Sequence, residues 1–170
     1  MNFVQWTTLL AAVTIAMPVH AQDRANEAQL LAGPFSVTSR VIVIYRTSGV
    51  RDDGGAFNTG VATSFHCTNL SSQNELLTIL VRKFDGSIVA NAQFTLSPDR
   101  TWTASTHGTV AFNEDAFLSQ GTIIDQGLAE ISSTTKNMIC SAMMLDASSA
   151  IPNGISLHLV RLNKMTGADE

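Results

Sequence analysis

Residues Glu75–Ser97 read ELLTILVRKFDGSIVANAQFTLS, in which two runs of strand-forming residues flank the pair Asp85-Gly86. An Asp-Gly pair between such runs is a strong hairpin signal, because a two-residue primed turn needs positive φ at both central positions. The turn also predicts the register, since it sets Phe84 opposite Ser87 and fixes every following pair. The predicted pairs going outward are Lys83 with Ile88, Val81 with Ala90, Ile79 with Ala92, and Leu77 with Phe94.

Side chains alternate between the two faces of a strand, so this hairpin has one apolar face and one mostly polar face. A lone hairpin is marginal in water, and the rest of the sequence offers only more short strands to cover the apolar face. Strand patterns spaced by turn signals predict an all-β protein, an antiparallel β-sandwich of immunoglobulin-like or related type with seven to nine strands. The predicted apolar face carries Leu77, Ile79, Val81, Ile88, Ala90, Ala92, Phe94 and Leu96.

The first residues are typical of an export signal, with an apolar core from Thr7 to Met17, then Pro18 and the ending Val19-His20-Ala21. This apolar run is about half of the roughly 20 residues that cross a bilayer, which favours cleavage over a membrane anchor. We predict a signal peptide over 1–21, a flexible lead-in or short helix over 22–36, a single β-sandwich domain over 37–165, and a tail over 166–170.

Charged residues are sparse, at 14% of the chain, and the net charge is −4 with no cluster of Lys or Arg. Nucleic acid and anionic membranes attract basic patches, so neither is a predicted partner. No run after the export signal is long enough to span a membrane. The GxSxG, P-loop and GxGxxG motifs are all missing from the sequence, and no cofactor is predicted.

Cys67 and Cys140 are the only cysteines in the chain. In an exported protein one pair most simply forms one disulfide, which would stabilise a loop of this length by roughly 4 kcal/mol in the chain-entropy model. Two buried free thiols are the alternative, and a catalytic thiol is disfavoured because neither cysteine has a neighbouring Lys or Arg. The predicted location is therefore periplasmic or secreted.

Two long irregular segments are predicted between the strands. The first is the Gly-rich loop SGVRDDGGAFNTG over 48–60, and the second covers 113–125, with a turn of helix near Glu114 to Ser119. A short strand over Thr109–Phe112 is predicted between them, after a bulge or bend at His107-Gly108.

Paired acids lie in both of these segments, Asp52-Asp53 in the first and Glu114-Asp115 in the second. Carboxylates that face each other across a substrate can cleave glycosides, so a hydrolase would require acids from both loops in one cleft. The D-x-D-x-D-G spacing of a calcium loop is absent, and solvated loop acids are the alternative. Asp52 and Asp53 are retained as candidate ligand-binding residues.

His66, His107 and His158 each fall on the polar side of a strand when their neighbours are counted by alternation. Three imidazoles with a water can form a catalytic zinc site, but no HxH or HExxH spacing is present. No metal is therefore predicted. His107 is retained as a candidate ligand-binding residue, with an ordinary surface position as the alternative.

Trp102 is a candidate stacking platform for a sugar, because an aromatic face is a common docking surface. Its neighbour on the same strand face is Ala104, and the strand directly follows the central hairpin, which favours a position in the core. Exposure of Trp102, or of another aromatic ring beside a loop, would distinguish a carbohydrate-binding module from other binding proteins.

The runs ATSFHCTN, VRKFDGSIVAN, TASTHGTVAF, STTKNMICSAMMLD and PNGISLHLVRLN resemble a group of uncharacterised exported bacterial proteins over Val61 to Asn163. The resemblance implies a periplasmic or secreted bacterial protein and carries no activity, so no functional residue follows from it. We expect a noncatalytic extracytoplasmic module that binds or assembles with an unknown protein or glycan. The alternatives are a carbohydrate-binding module and a metal- or carboxylate-dependent hydrolase.

Overall fold

The computed structural model describes residues 41–119 and 121–162, which form ten strands and no helix. In chain order the strands are β1 (Ile42–Asp52), β2 (Val61–Asn69), β3 (Glu75–Lys83), β4 (Ile88–Leu96), β5 (Thr101–Ser105), β6 (Ala116–Phe117), β7 (Ile124–Ser133), β8 (Met138–Asp146), β9 (Gly154–Leu157) and β10 (Val160–Arg161).

The strands make two five-stranded sheets that pack face to face. The first sheet has the order β10-β1-β7-β3-β4, and the second has the order β6-β5-β2-β8-β9. Every pairing is antiparallel except that of β5 with β6. The predicted all-β antiparallel sandwich is confirmed, and its immunoglobulin-like type stays a prediction. The predicted number of strands is too low, because two-residue strands such as β6 and β10 are too short to show alternation.

The hairpin of β3 and β4 has the predicted register over most of its length, with Leu77 opposite Phe94 and Ile79 opposite Ala92. The register shifts near the turn, where Ile88 pairs with Arg82 instead of Lys83. This shift moves Ile88 to the solvent face, where it is 57% exposed, while the other members of the predicted apolar face are buried or half-buried. Val89, predicted to point outward, packs against the core instead.

The turn itself explains the shift. The Gly86 amide donates to the Lys83 carbonyl, and only Gly86 has positive φ, at +84°. This is a three-residue loop with a glycine bulge rather than the predicted two-residue primed turn. Asp85 keeps an ordinary backbone conformation because its carboxylate accepts hydrogen bonds from the amide and hydroxyl of Ser87. These bonds hold the pKa of Asp85 below its ordinary value.

The core lies between the two sheets and is apolar at its centre, where Phe65 of the second sheet and Ile131 of the first are fully buried. Trp102 is also in this core, 9% exposed, with its ring against that of Phe94 from the opposite sheet. Burying one side chain of this size contributes about 2–3 kcal/mol. The predicted core position of Trp102 is confirmed.

β1 is longer than the sequence indicates and includes residues expected in the Gly-rich loop. Register shifts interrupt its pairing with β7 at three places, and Val50 beyond the second shift is fully buried. The shifts break the period of two, so the pattern could not show that the strand continues. Asp52 is consequently the last residue of a strand and is fixed in the sheet.

The outer side of the second sheet is covered near β2 and β5 by residues 106–119. The strand predicted over Thr109–Phe112 is not formed, and β6 replaces the predicted turn of helix. Polar contacts that sequence periodicity cannot show hold this segment in place: Glu114 accepts bonds from the hydroxyls of Ser105 and Thr109. Ser64 and Ser105 are therefore buried on the face that alternation assigns to solvent.

The predicted disulfide is confirmed. Cys67 and Cys140 are directly opposite each other on β2 and β8, so the bridge joins two strands that already pair over nine residue positions. It closes a separation of 73 residues along the chain.

Among the described residues, no helix is long and apolar enough to cross a membrane. The predicted signal peptide (1–21), lead-in (22–36) and tail (166–170) lie outside the described residues, as do both ends of the predicted domain (37–165).

Candidate functional site

Three residues singled out in the sequence meet where β1 ends. Asp52, Asp53 and His107 each offer a ligand atom, and these atoms lie within 4.8 Å of one another. Asp52 and His107 are buried, at 0% and 2% exposure, whereas Asp53 is exposed. The prediction that His107 lies on an outward strand face is wrong, because β5 ends at Ser105 and alternation no longer applies two residues later.

The ring of His107 lies between two acceptors. Its Nδ1 is 3.0 Å from Oδ2 of Asp52, and its Nε2 is 2.9 Å from the carbonyl oxygen of Thr59. A carbonyl oxygen can only accept, so Nε2 carries a proton. His107 therefore clamps the end of β1 to the loop over 53–60.

Asp52 is fully engaged by its neighbours. Its Oδ1 accepts from the Gly54 amide at 2.7 Å, and its Oδ2 accepts from His107 and from the hydroxyl of Ser119 at 3.2 Å. Ser119 and His107 thus contact the same carboxylate and not each other's reactive atoms. A hydrolytic triad instead needs the imidazole between the hydroxyl and the acid. These three residues form a buried structural network.

Asp53 organises the neighbouring loop although it is exposed. Its carboxylate accepts from the amides of Gly55 at 3.2 Å and Val61 at 2.9 Å, and it packs directly against Gly60. A side chain at Gly60 would displace this carboxylate, and the φ of Gly60 is +73°. The carboxylate of Asp53 therefore links the start of the loop, at Gly55, to the residue that follows it, Val61.

Asp52, Asp53 and His107 offer oxygen and nitrogen atoms of the kind that bind divalent cations. Each carboxylate oxygen already accepts from a protein donor, and both nitrogens of His107 face acceptor oxygens. A carboxylate oxygen can bind a metal and keep such a bond, but His107 could do so only by giving up its contact with Asp52 or with Thr59. His107 as folded therefore offers no free nitrogen to a metal ion.

A cleft of about 410 Å³ opens beside this network, with Gly54, Gly55, Ala56, Phe57, His107 and Gly121 as its lining. Clefts of about 300–1,000 Å³ are typical of small-molecule sites. The loop that forms one wall is fixed, because the Asn58 amide donates to the Gly108 carbonyl at 2.8 Å and the Thr59 carbonyl accepts from His107. The walls of the cleft are therefore preformed.

Two aromatic residues are called the aromatic rim below: Phe57, which lines the cleft, and Phe117, whose ring packs against that of Phe57. Phe57 is 53% exposed and Phe117 is 36% exposed, and the rings meet edge to face with centroids 4.8 Å apart. Phe57 packs directly on Gly108, where any side chain would collide with the ring. Large apolar side chains held in solvent beside a cleft are typical of binding surfaces.

The second pair of loop acids lies elsewhere. Glu114 accepts from Ser105 and Thr109, while Asp115 accepts from the Thr103 amide at 2.9 Å and lies 3.8 Å from the guanidinium of Arg100. Neither acid belongs to the group formed by Asp52, Asp53 and His107. None of these four acids is among the lining residues of the cleft beside His107. The hydrolase alternative, which requires acids from both loops in one cleft, stays a prediction.

The other two histidines do not join His107 in a ligand group within the described residues. His66 is half-buried, with its ring nitrogens 3.3 Å from the Ser64 hydroxyl and 3.1 Å from the Thr103 hydroxyl, and its ring lies edge-on to Phe112. Burial lowers the pKa of His66, and the nearby charge of Glu114 opposes this effect in part. His158 is exposed.

The sequence reasoning identified Asp52, Asp53 and His107 but missed the aromatic rim. Phe57 does carry a signal, since it is the one aromatic residue in the Gly-rich loop SGVRDDGGAFNTG. Phe117 carries none, because the segment around it was expected to be helical. Trp102, the aromatic residue that the sequence singled out, has its ring covered by the core.

No known protein family, no curated protein and no solved structure matches this chain. Fold and cleft together define it only as a two-sheet β-sandwich with a preformed, aromatic-rimmed cleft at one end of β1.

Proposed function

We propose that this protein is a noncatalytic extracytoplasmic module that binds a ligand, a protein or a glycan, at the cleft beside His107. The observation that carries the proposal is the aromatic rim: Phe57 is held 53% exposed at the edge of a preformed cleft. Exposing such a ring to water is unfavourable, and covering it on binding would release about 25 cal/mol for each Å² buried.

The chemistry of the neighbouring side chains supports binding over catalysis. A general base or nucleophile needs a free lone pair in reach of substrate. The nitrogens of His107 both face acceptors inside the protein, and the hydroxyl of Ser119 is directed at Asp52 and the Thr106 carbonyl. The polar atoms of His107 and Ser119 are therefore used in contacts within the protein, and those of His107 hold the loop over 53–60 in place.

The disulfide supports the periplasmic or secreted location. Disulfides persist in oxidising compartments and are rare in the cytosol. The bridge between Cys67 and Cys140 agrees with the predicted export signal.

Thermal unfolding of the purified chain, with its disulfide intact, tests the proposal against panels of peptides, glycans and divalent metals. A ligand present at about 100 times its Kd should raise the Tm by about 5 °C or more. We expect Phe57→Ala to abolish the shift and Phe84→Ala to retain it, because Phe84 is even more exposed than Phe57 but lies at the hairpin turn. An identical shift in both variants, or chemical conversion of the ligand, would contradict the proposal.

A carbohydrate-binding module is the second candidate, and one observation favours it. Sugars dock their apolar faces on aromatic rings, and Phe57 lines the cleft with its side chain 53% exposed. If this alternative holds, glycans alone in the panel should produce the shift. Peptides giving the shift and glycans giving none would exclude it.

A further inference from the structure

The two sheets have four edge strands, and three of them are short. β10 and β6 have two residues each and β9 has four, whereas β4 has nine. Short edge strands are one way in which proteins prevent unwanted pairing with other chains. Within the described part of the chain, β4 is therefore the one edge strand longer than four residues.

Apart from the bulge next to the turn, the sequence of β4, IVANAQFTL, has few of the usual protections of an edge strand. It contains no charged residue and no proline, which are the residues that most often block edge pairing. Within the described part of the chain, β3 is the strand to which β4 pairs, and no strand of that part pairs with its other side. Ile88, 57% exposed, adds apolar surface at one end of this edge.

The pattern of β4 is complementary to itself. If two copies pair antiparallel about an axis through Ala92, Asn91 of one copy lies opposite Gln93 of the other, and the same contact occurs twice. Both amide side chains are exposed, and each can donate and accept a hydrogen bond. On the inner face Ala90 would lie opposite Phe94, so a small residue meets a large one. No charge opposes this contact, because β4 has none.

We propose that β4 is the dimerisation edge of this protein, and that two copies join through antiparallel β4 pairing into one continuous ten-stranded sheet. The contact is isologous, since the same strand is used on both sides. Backbone hydrogen bonds supply the affinity in strand addition, and facing side chains set the register. This interface does not involve the cleft, and it stands or fails independently of the proposed ligand site.

Sedimentation of the full-length secreted chain over a wide range of concentration tests the proposal. We expect a reversible monomer–dimer equilibrium that is insensitive to salt. The double variant Asn91→Lys/Gln93→Lys sets two pairs of lysines opposite each other and should weaken the dimer about tenfold or more. The matched control is Gln126→Lys/Ser141→Lys, which adds the same charge at exposed positions on the interior strands β7 and β8. It should leave the equilibrium unchanged.

Hydrogen exchange supplies a second readout that does not depend on the variants. The outward amides of β4 should exchange more slowly as the protein concentration rises. A monomer at every concentration, or a dimer that the lysines on β4 leave intact, would refute the proposal. Slow exchange at β4 that does not change with concentration would also refute it, since another part of the same chain would then cover the edge.

Discussion

At the scale of single residues, the most consequential side chain is His107. It is buried, holds the carboxylate of Asp52 through Nδ1, and holds the loop over 53–60 through Nε2. Removing His107 would leave the buried carboxylate of Asp52 without one of its contacts and the Thr59 carbonyl without its donor, each at a cost of about 1–3 kcal/mol.

We therefore expect His107→Ala to lower the free energy of unfolding in urea by about 3 kcal/mol or more. His158→Ala, at an exposed position, should change it by less than about 0.5 kcal/mol. The double variant Asp52→Asn/His107→Ala should lose less than the sum of the single variants, because the two residues contact each other. Additive losses would show that the pair is not energetically coupled.

His66 gives the fold a pH dependence whose sign follows from its burial. Desolvation holds the pKa of His66 below its ordinary value of about 6.5, against the smaller opposing effect of Glu114. The unfolded chain therefore takes up a proton at this position more readily than the folded chain does. The stabilising contribution is complete above about pH 6.5 and is lost as the pH falls toward the lowered pKa.

The variant His66→Gln retains a donor and an acceptor for Ser64 and Thr103 but does not titrate. We expect its free energy of unfolding to fall less between pH 7 and pH 5 than that of the native chain, as measured by urea unfolding at each pH. His158→Gln serves as the control and should keep the native dependence. A steeper fall in His66→Gln than in the native chain would contradict the assigned sign.

At the scale of strands, the alternation of side chains predicts the pairing register correctly where the strand is regular. The prediction is wrong where a bulge interrupts the period of two. The pairs Leu77–Phe94 and Ile79–Ala92 follow from alternation alone. Ile88 does not, because the choice between a primed turn and a glycine bulge depends on whether Asp85 adopts positive φ. Asp85 does not have positive φ, and its carboxylate accepts a hydrogen bond from the Ser87 amide.

The candidate site was predictable only in part for the same reason. Asp52 and His107 can be singled out in the sequence as polar residues close to glycines. Their contact cannot be predicted, because it depends on register shifts in β1 and on the path of the chain after β5. The aromatic rim depends on the parallel pairing of β6 with β5, which starts from a two-residue strand with no sequence signal. The sequence shows which residues could bind a ligand, but only the tertiary structure shows which of these residues lie close together.

At the scale of the whole molecule, the two sheets are joined by side chains that cross the core. The hydroxyl of Tyr45 on β1 donates to the Met138 carbonyl on β8 at 3.0 Å, and both residues are buried. The rings of Phe94 and Trp102 make a second contact between the sheets. Together with the loops, these contacts should make the sandwich unfold as one unit.

The variant Tyr45→Phe removes this hydrogen bond and keeps the ring in place. The Met138 carbonyl would lose its partner in the other sheet inside the core, and we expect the free energy of unfolding to fall by about 1–2 kcal/mol. The m-value should not change, because the surface exposed on unfolding is the same. Far-UV circular dichroism and tryptophan fluorescence should report one coincident transition. Two separate transitions, one from Trp102 of the second sheet and a later one from the remaining strands, would mean that the sheets are stable independently and that the Tyr45 bond does not couple them.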